Sequence, residues 1–175
     1  QQLTDHGLIW DGELLYQSTR TAAYSETVDA LQHSELAYNC DCTRQRVASL
    51  GGIYDGYCRN RKGVNNAAIR LQVTPESTIG FNDLIMGDYS QNLCAEVGDF
   101  VIQRRDGLFS YQLAVTIDDQ FQNITHIIRG ADLIDSTPRQ IYLQKCLGFL
   151  SADSSPTTPL PLSYGHLPIA TNAEG

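Results

Sequence analysis

The chain is short of the features that would place it in or across a membrane. No apolar run approaches the ~20 residues that a spanning helix needs. Gln1 to Gly12 holds neither the basic start nor the apolar stretch of a secretory leader. Methionine is nearly absent: the single one, Met86, is internal, so a processed product or a piece of a longer protein is expected. The five cysteines are an odd count without a secretory segment, which argues against a disulfide framework and for a reducing, cytoplasmic setting. Charged residues make up only 18% of the chain against 42% hydrophobic ones, a balance that supports an ordinary buried core and excludes disorder. Internal repeats and low-complexity tracts are also missing.

The formal net charge of -8 opposes a nucleic-acid partner if taken as a whole. Its distribution does not. Half of the twelve Lys and Arg residues, namely Arg44, Arg46, Arg59, Arg61, Lys62 and Arg70, fall in one stretch where Asp55 is the only acid. A basic lobe on an acidic body suits a phosphate backbone as well as it suits a plain solvated surface.

Periodicity outlines the elements. From Thr19 the pattern is helical, with Tyr24, Val28 and Leu31 on one face and Ser18 or Thr19 as cap. Thr43 caps a predicted short helix, Arg44 to Leu50, which Gly51-Gly52 ends. Ala67 to Val73 alternates as a half-buried strand does, and Phe100 to Ile102 reads as a buried strand. Arg105-Asp106-Gly107 is a turn, Tyr111 to Ile117 alternates like a further strand, and Ile124 to Ile128 is another β-branched run. Thr137 as cap, Pro138 at the first position and Gly148 as stop predict a helix. Ser151 to Pro161 is a predicted loop, and Leu160 to Ile169 holds one more short strand. No element is predicted between Phe81 and Asp99. Strands interleaved with helices give an α/β class, with the basic, cysteine-bearing stretch as an insertion.

Three of the cysteines carry a chemical signal. Cys40-x-Cys42 and Cys58 flank a short helix and a glycine-rich turn, and three thiolates suit Zn²⁺, which takes four tetrahedral neighbours. The spacing is tighter than the usual C-x₂-C, and no histidine lies close enough to be an obvious fourth ligand. Tyr54, four residues before Cys58, can ionise beside a dication, although a tyrosine at such a position is more commonly part of a core. Cys94 and Cys146 stand alone and read as small buried hydrophobes.

Two later runs carry a resemblance. Gln103-Arg104-Arg105-Asp106-Gly107-Leu108-Phe109-Ser110-Tyr111-Gln112-Leu113-Ala114 leads to Asp118-Asp119, and Ile127-Ile128-Arg129-Gly130-Ala131-Asp132-Leu133 leads to Ser136-Thr137-Pro138-Arg139-Gln140. They resemble the second half of the catalytic domain of class I glutamyl-tRNA synthetases, and most of all their short paralogues, the glutamyl-Q tRNA(Asp) synthetases. Gly51-Gly52-Ile53-Tyr54-Asp55-Gly56-x-Cys58-Arg59 is similar to the same paralogues, and so is Gly130-Ala131-Asp132-Leu133 where ordinary members have Gly-Glu-Glu-Trp. The likeness runs from Gly7-Leu8-x-Trp10-Asp11 to His166-Leu167-Pro168.

The resemblance implies a Rossmann-type catalytic domain, with residues 1–37 ending its first half, 38–99 an inserted zinc-bearing α+β lobe and 100–175 its second half. It implies a structural Zn²⁺ held by Cys40, Cys42, Tyr54 and Cys58, with no position left for water. It implies glutamate contacts at Tyr111 and Arg129, and an approach to ATP, used with Mg²⁺, by Asp132 and His166-Leu167. The implied reaction is activation of glutamate by ATP, then passage of the glutamyl group to the queuosine base of tRNA(Asp). A monomer is expected.

The family's His-x-Gly-His-like and Lys-Leu-Ser-Lys-like phosphate motifs, and its early Arg-x-Ala-Pro-Ser segment, do not occur in these 175 residues. Since such sites work by positioning reactants and stabilising phosphate charge, the piece alone is expected to be inactive in glutamate-dependent ATP–pyrophosphate exchange. The alternatives are a piece of an ordinary glutamyl-tRNA synthetase and a zinc-stabilised RNA-binding module without chemistry.

Overall fold

The structure is a computed structural model that describes residues 2–150 and 162–169. Its elements are α1 (Gln2–Asp5), α2 (Thr21–His33), β1 (Ala37–Cys40), α3 (Arg44–Ser49), β2 (Ala68–Leu71), β3 (Thr78–Asp83), β4 (Gly87–Asn92), α4 (Leu93–Glu96), β5 (Phe100–Gln103), α5 (Tyr111–Phe121), β6 (His126–Gly130), α6 (Thr137–Cys146) and β7 (Ser163–Leu167). Among the described residues, no helix is long and apolar enough to cross a membrane.

Two sheets organise the chain. The first runs β1-β2-β5 and is antiparallel, with Cys40 opposite Ala68 and a register irregularity between Ile69 and Arg70. The second runs β4-β3-β7-β6. Within it β3 and β4 form a hairpin, while β7 lies parallel to both β3 and β6. Parallel neighbours need a crossover, and α6 lies between β6 and β7 in the chain to supply it. One apolar cluster joins both sheets, from Tyr24, Val28 and Leu31 of α2 through Leu71, Ile79 and Ile102 to Leu113 and Leu143. In the first sheet β1 and β2 lie at the start of and within residues 38–99, and β5 lies just after them.

Several expectations change here. The run from Tyr111 to Ile117 is not a strand but the start of α5, whose cap Ser110 accepts a hydrogen bond from the Leu113 N–H at 3.3 Å. Seven residues are too few to separate periods of two and 3.6, and the β-branched Val115, Thr116 and Ile117 tilted the reading. Tertiary packing decided otherwise: α5 buries Leu113, Ala114 and Ile117, a helical spacing. Phe81 to Asp99, where no element was predicted, holds half of β3, all of β4 and α4. The β3–β4 turn is made by the Asp83 carboxylate, which accepts from the N–H groups of Ile85 (3.0 Å) and Met86 (2.9 Å), and by Gly87 at φ 80°. That is aspartate turn chemistry with a glycine in the left-handed region.

Neither Ser18 nor Thr19 caps α2. Thr19 lies in a 3₁₀ turn, its hydroxyl donating to the Tyr16 carbonyl, and Arg20 stands at the N-cap without a side-chain bond. Thr137 is not a cap either. A 3₁₀ segment, Ala131–Ser136, runs straight into α6, so the Thr137 hydroxyl is free for another use. Gly148 does end that helix, with the Phe149 N–H reaching the Gln144 carbonyl at 2.9 Å. The expected short helix after Thr43 is present, with the Arg46 N–H donating to the Thr43 hydroxyl. The predicted Ser151–Pro161 loop lies outside the described residues.

Candidate functional site

Two clusters of chemically capable side chains stand out. The first is the thiol cluster. Cys40 ends β1, Cys42 precedes the α3 cap, and Tyr54 and Cys58 bracket the next turn. Cys40, Cys42 and Cys58 place their sulfurs within 4.8 Å of one another. Cys42 and Cys58 are 3.5 Å apart, and the Tyr54 hydroxyl lies 3.3 Å from the Cys40 sulfur and 3.5 Å from that of Cys42. Four ligands about 2.3 Å from a tetrahedral ion are themselves about 3.8 Å apart, so this donor set fits one small cation.

Cys40, Tyr54 and Cys58 are all buried. The Cys58 N–H donates to the Tyr54 hydroxyl at 3.0 Å. Tyr54 is pinned from behind by Gly98, at φ 68°, where a Cβ would stand 2.4 Å from the Tyr54 carbonyl oxygen. Burial, then contact with Cys40, Cys58 and Cys42, pushes the Tyr54 phenol up. Burial also pushes Cys42 up. Burial acts upward on Cys40 too, but its contact with the Tyr54 hydroxyl and the hydrogen bond from Arg70 outweigh it and bring it down.

Arginines surround these sulfurs. Arg70 donates to Cys40 at 3.2 Å and stacks 4.0 Å over the Tyr54 ring, while Arg61 donates to Cys58 at 3.3 Å. Arg59 clamps the buried Asp99 carboxylate through two bonds of 2.7 and 2.6 Å. Asp99 also accepts from the Val73 N–H and the Tyr38 hydroxyl. The residue after Cys58 is thereby tied to the end of β2.

The second cluster centres on Arg129 of β6. Its Nη1 donates to the Tyr111 hydroxyl at 3.3 Å, so the two residues expected to act together do touch. Nη2 donates to Thr137 (2.7 Å) and Gln140 (2.9 Å), and Nε donates to His166 Nε2 at 3.1 Å. A guanidinium always donates. His166 Nε2 therefore carries no proton, and its Nδ1–H donates to Asp83 at 2.6 Å. Histidine and aspartate are both buried. Burial acts upward on Asp83, but bonds from the Met86 N–H, His166 and the Ile85 N–H hold it well below the usual carboxylate range.

Arg129 is thus fixed on three sides by neutral groups and pairs with no carboxylate among the described residues. Tyr111 is 47% exposed at the head of α5, not a core residue. Together they form a cationic, partly open seat for an anion.

Asp132 and Leu167 sit beside this seat. Leu167 pairs in register with Gly130 at the ends of β7 and β6, and Asp132 and Leu167 are both exposed. A Cβ at Gly130 would stand 2.4 Å from the Asp132 carboxylate, so a side chain there would turn Asp132 away. Asp83, Thr137 and Gln140 were not legible as site residues, since the turn, the helix cap and the helix interior each gave them an ordinary explanation.

The family model for tRNA synthetases class I (E and Q), catalytic domain, matches residues 57–154. A glutamyl-Q tRNA(Asp) synthetase of Pseudomonas putida is 51% identical over 179 aligned positions, which span 100% of this chain and 55% of that protein. The enzyme so named from Cronobacter sakazakii is 47% identical, again over 100% of this chain and 55% of its own length. The chain therefore spans about half the length of these curated relatives. Among solved structures, a glutamate tRNA ligase from Elizabethkingia meningosepticum superposes with a TM-score of 0.78 at 22% identity, over 99% of this chain and 39% of that one. That likeness carries the fold. With more than half of its residues matched, this chain belongs to the class I tRNA synthetases (E and Q), within their catalytic domain.

Proposed function

We propose that the protein carrying this chain activates glutamate with ATP and passes the glutamyl group to the queuosine base of tRNA(Asp), acting as a monomer. The observation that supports this best is the Arg129–Tyr111 seat: a guanidinium held by His166, Thr137 and Gln140, with no carboxylate partner among the described residues. A planar guanidinium grips a carboxylate through two charge-assisted hydrogen bonds, and the Tyr111 hydroxyl adds a third polar contact. Fixing Arg129 before the substrate arrives removes the ordering cost that a free side chain would incur. In this reading Asp132 and Leu167, exposed beside the seat, are the residues that approach ATP with Mg²⁺. The names of the relatives from P. putida and C. sakazakii support the acceptor.

In this reading the stretch 38–99 is a lobe inserted between residues 1–37 and 100–175. Cys40, Cys42, Tyr54 and Cys58 hold a Zn²⁺ that pins its loops. Three thiolates and a phenolate close the coordination shell, so the ion is structural. A metal supplies folding free energy where apolar side chains are few.

Glutamate binding measured by saturation-transfer NMR on this chain, with Arg129→Lys beside it, tests the seat. Lysine keeps the charge but cannot serve His166, Thr137, Gln140 and a carboxylate at once, so affinity should fall roughly thirtyfold, or about 2 kcal/mol. Equal binding by both would overturn the assignment. Transfer to tRNA(Asp) with and without queuosine, tested with the complete reading frame, separates this reading from an ordinary glutamyl-tRNA synthetase.

A further inference from the structure

The arginines of the basic stretch divide into two groups. Arg46 pairs with Asp55, Arg59 with Asp99 and Arg61 with Asp41. Their charge is answered within the fold. Arg44 is exposed at the start of α3 and has no carboxylate partner among the described residues.

Arg44 lines an open cleft of about 880 Å³ beside the thiol cluster. Arg70 and Val101, from the central and edge strands of the first sheet, line it as well, and the turn after β5 adds Arg104, Arg105 and Asp106. Four guanidinium groups therefore meet one carboxylate. Asp106 is already taken by Arg104 at 2.6 Å. Arg105 spends a donor on the neutral Asp41 carbonyl at 2.9 Å, which leaves its charge uncompensated. In a chain of net charge -8 this is a local reversal of sign. Like charges held around one cleft repel each other, and a bound anion relieves that repulsion.

The shape and lining narrow the occupant. The cleft is open to solvent, and four of its lining side chains are arginines. No aromatic side chain lines it, so it lacks the platform on which unpaired bases stack. What remains is a grip on phosphates, the contact that positions a nucleic acid without reading its sequence.

The turn at the rim of the cleft is also tied to the chain segment that leads into the proposed glutamate seat. The turn bearing Arg104 and Arg105 folds back through the Gln103–Phe109 bridge, and the Ser110 N–H reaches the Ile102 carbonyl at 2.9 Å. Ser110 then caps α5, whose first residue is Tyr111. One tied turn thus carries the rim of the cleft and leads into the seat.

We propose that this cleft is the track for the sugar–phosphate backbone of the RNA that receives the glutamyl group, with Arg44 and Arg105 each neutralising a phosphate. The inference rests on the RNA-acceptor reading above and adds where that RNA lies.

The test is fluorescence anisotropy of a labelled tRNA(Asp) anticodon stem-loop against the full 175-residue chain across a salt series. Arg44→Ala and Arg105→Ala should each weaken binding on the order of fivefold at low salt and lower the log–log salt slope by roughly 0.7 to 0.9. Arg44→Lys should keep the slope, which separates a lost charge from a lost fold. Lys145→Ala, in the last turn of α6 and away from the cleft, should leave both readouts unchanged. Wild-type binding by Arg44→Ala and Arg105→Ala would overturn the proposal. So would equal weakening by Lys145→Ala, competition by polyglutamate as effective as by RNA of equal charge, or no RNA binding at low salt. Two mixed outcomes separate the readings. If RNA binding depends on Arg44 and Arg105 but glutamate does not depend on Arg129, the cleft stands without the seat. If glutamate depends on Arg129 while RNA ignores both arginines, the seat stands without the cleft.

Discussion

The thiol cluster and the Arg129 seat are built in opposite ways. Cys40, Cys42, Tyr54 and Cys58 come from one short stretch, and a metal would join residues that the chain already keeps near one another. The seat joins Asp83, Tyr111, Arg129, Thr137, Gln140 and His166, which arrive from three strands and two helices. The first would draw its cohesion from an added ion, and the second draws its own from the packing of the whole domain. Damage to the first should therefore be local and severe, while damage to the second should be graded and should track the hydrogen bond lost.

The sharpest way to break that contrast is Cys42→Ser. The unmodified protein should carry about one zinc per chain by metal analysis, and the variant should lose it together with the protease resistance of residues 38–99. Cys94→Ser, outside the cluster, should keep the metal. Zinc-free protein that is reduced and fully folded would remove the cluster from the comparison.

A smaller effect is expected for Asp83→Asn, which touches neither substrate nor metal. It replaces a buried acceptor of four hydrogen bonds and frees the His166 ring to turn. Stability should fall by about 2 kcal/mol in denaturant melts. Glutamate affinity should fall with it, and the Nδ1–H signature of His166 in ¹⁵N NMR should be lost. A stability loss with unchanged affinity would mean that Arg129 does not need its histidine.

Tyr111→Phe should be milder. It removes one long hydrogen bond from an exposed residue, so glutamate affinity should drop by about 1 kcal/mol, roughly fivefold, with no shift in melting temperature.

The smallest effect concerns Asp119 of α5, whose carboxyl burial pushes up to about 6. Its folded pKa lies above its unfolded one, so ionisation is disfavoured in the fold. This group's penalty is full above pH 6 and fades as the pH falls towards 4. Because the residue is partly exposed, Asp119→Asn should stabilise the protein by only about 1 kcal/mol at pH 7 and by almost nothing at pH 4. A stabilisation equal at both values would remove the titration argument.

The legibility of the two regions differs for the same physical reason. The spacing of Cys40, Cys42 and Cys58 is written in the sequence because local chain geometry limits how far apart they can lie. Tyr54 was not distinguishable by chemistry from a core tyrosine and came in through resemblance. The structure places its hydroxyl among the sulfurs and backs it with Gly98, for which no spacing rule exists. Tyr111 and Arg129 were legible by resemblance alone, and a short window assigned Tyr111 to the wrong kind of element. Asp83 and His166, so far apart in the chain, share no local signal.

By itself the sequence determined the α/β class, α2 with its Tyr24–Val28–Leu31 face, the capped helix after Thr43, the basic stretch and the three-cysteine spacing. Each depends on neighbours a few residues away. Only the tertiary structure decided that Thr137 serves Arg129 instead of capping a helix. The same is true of the neutral His166 fixed between Asp83 and that guanidinium, and of Arg44 and Arg105 facing one cleft. Hydrogen bonds and charges act through space over a few ångströms, and separation along the chain says nothing about that distance until the sheets have paired.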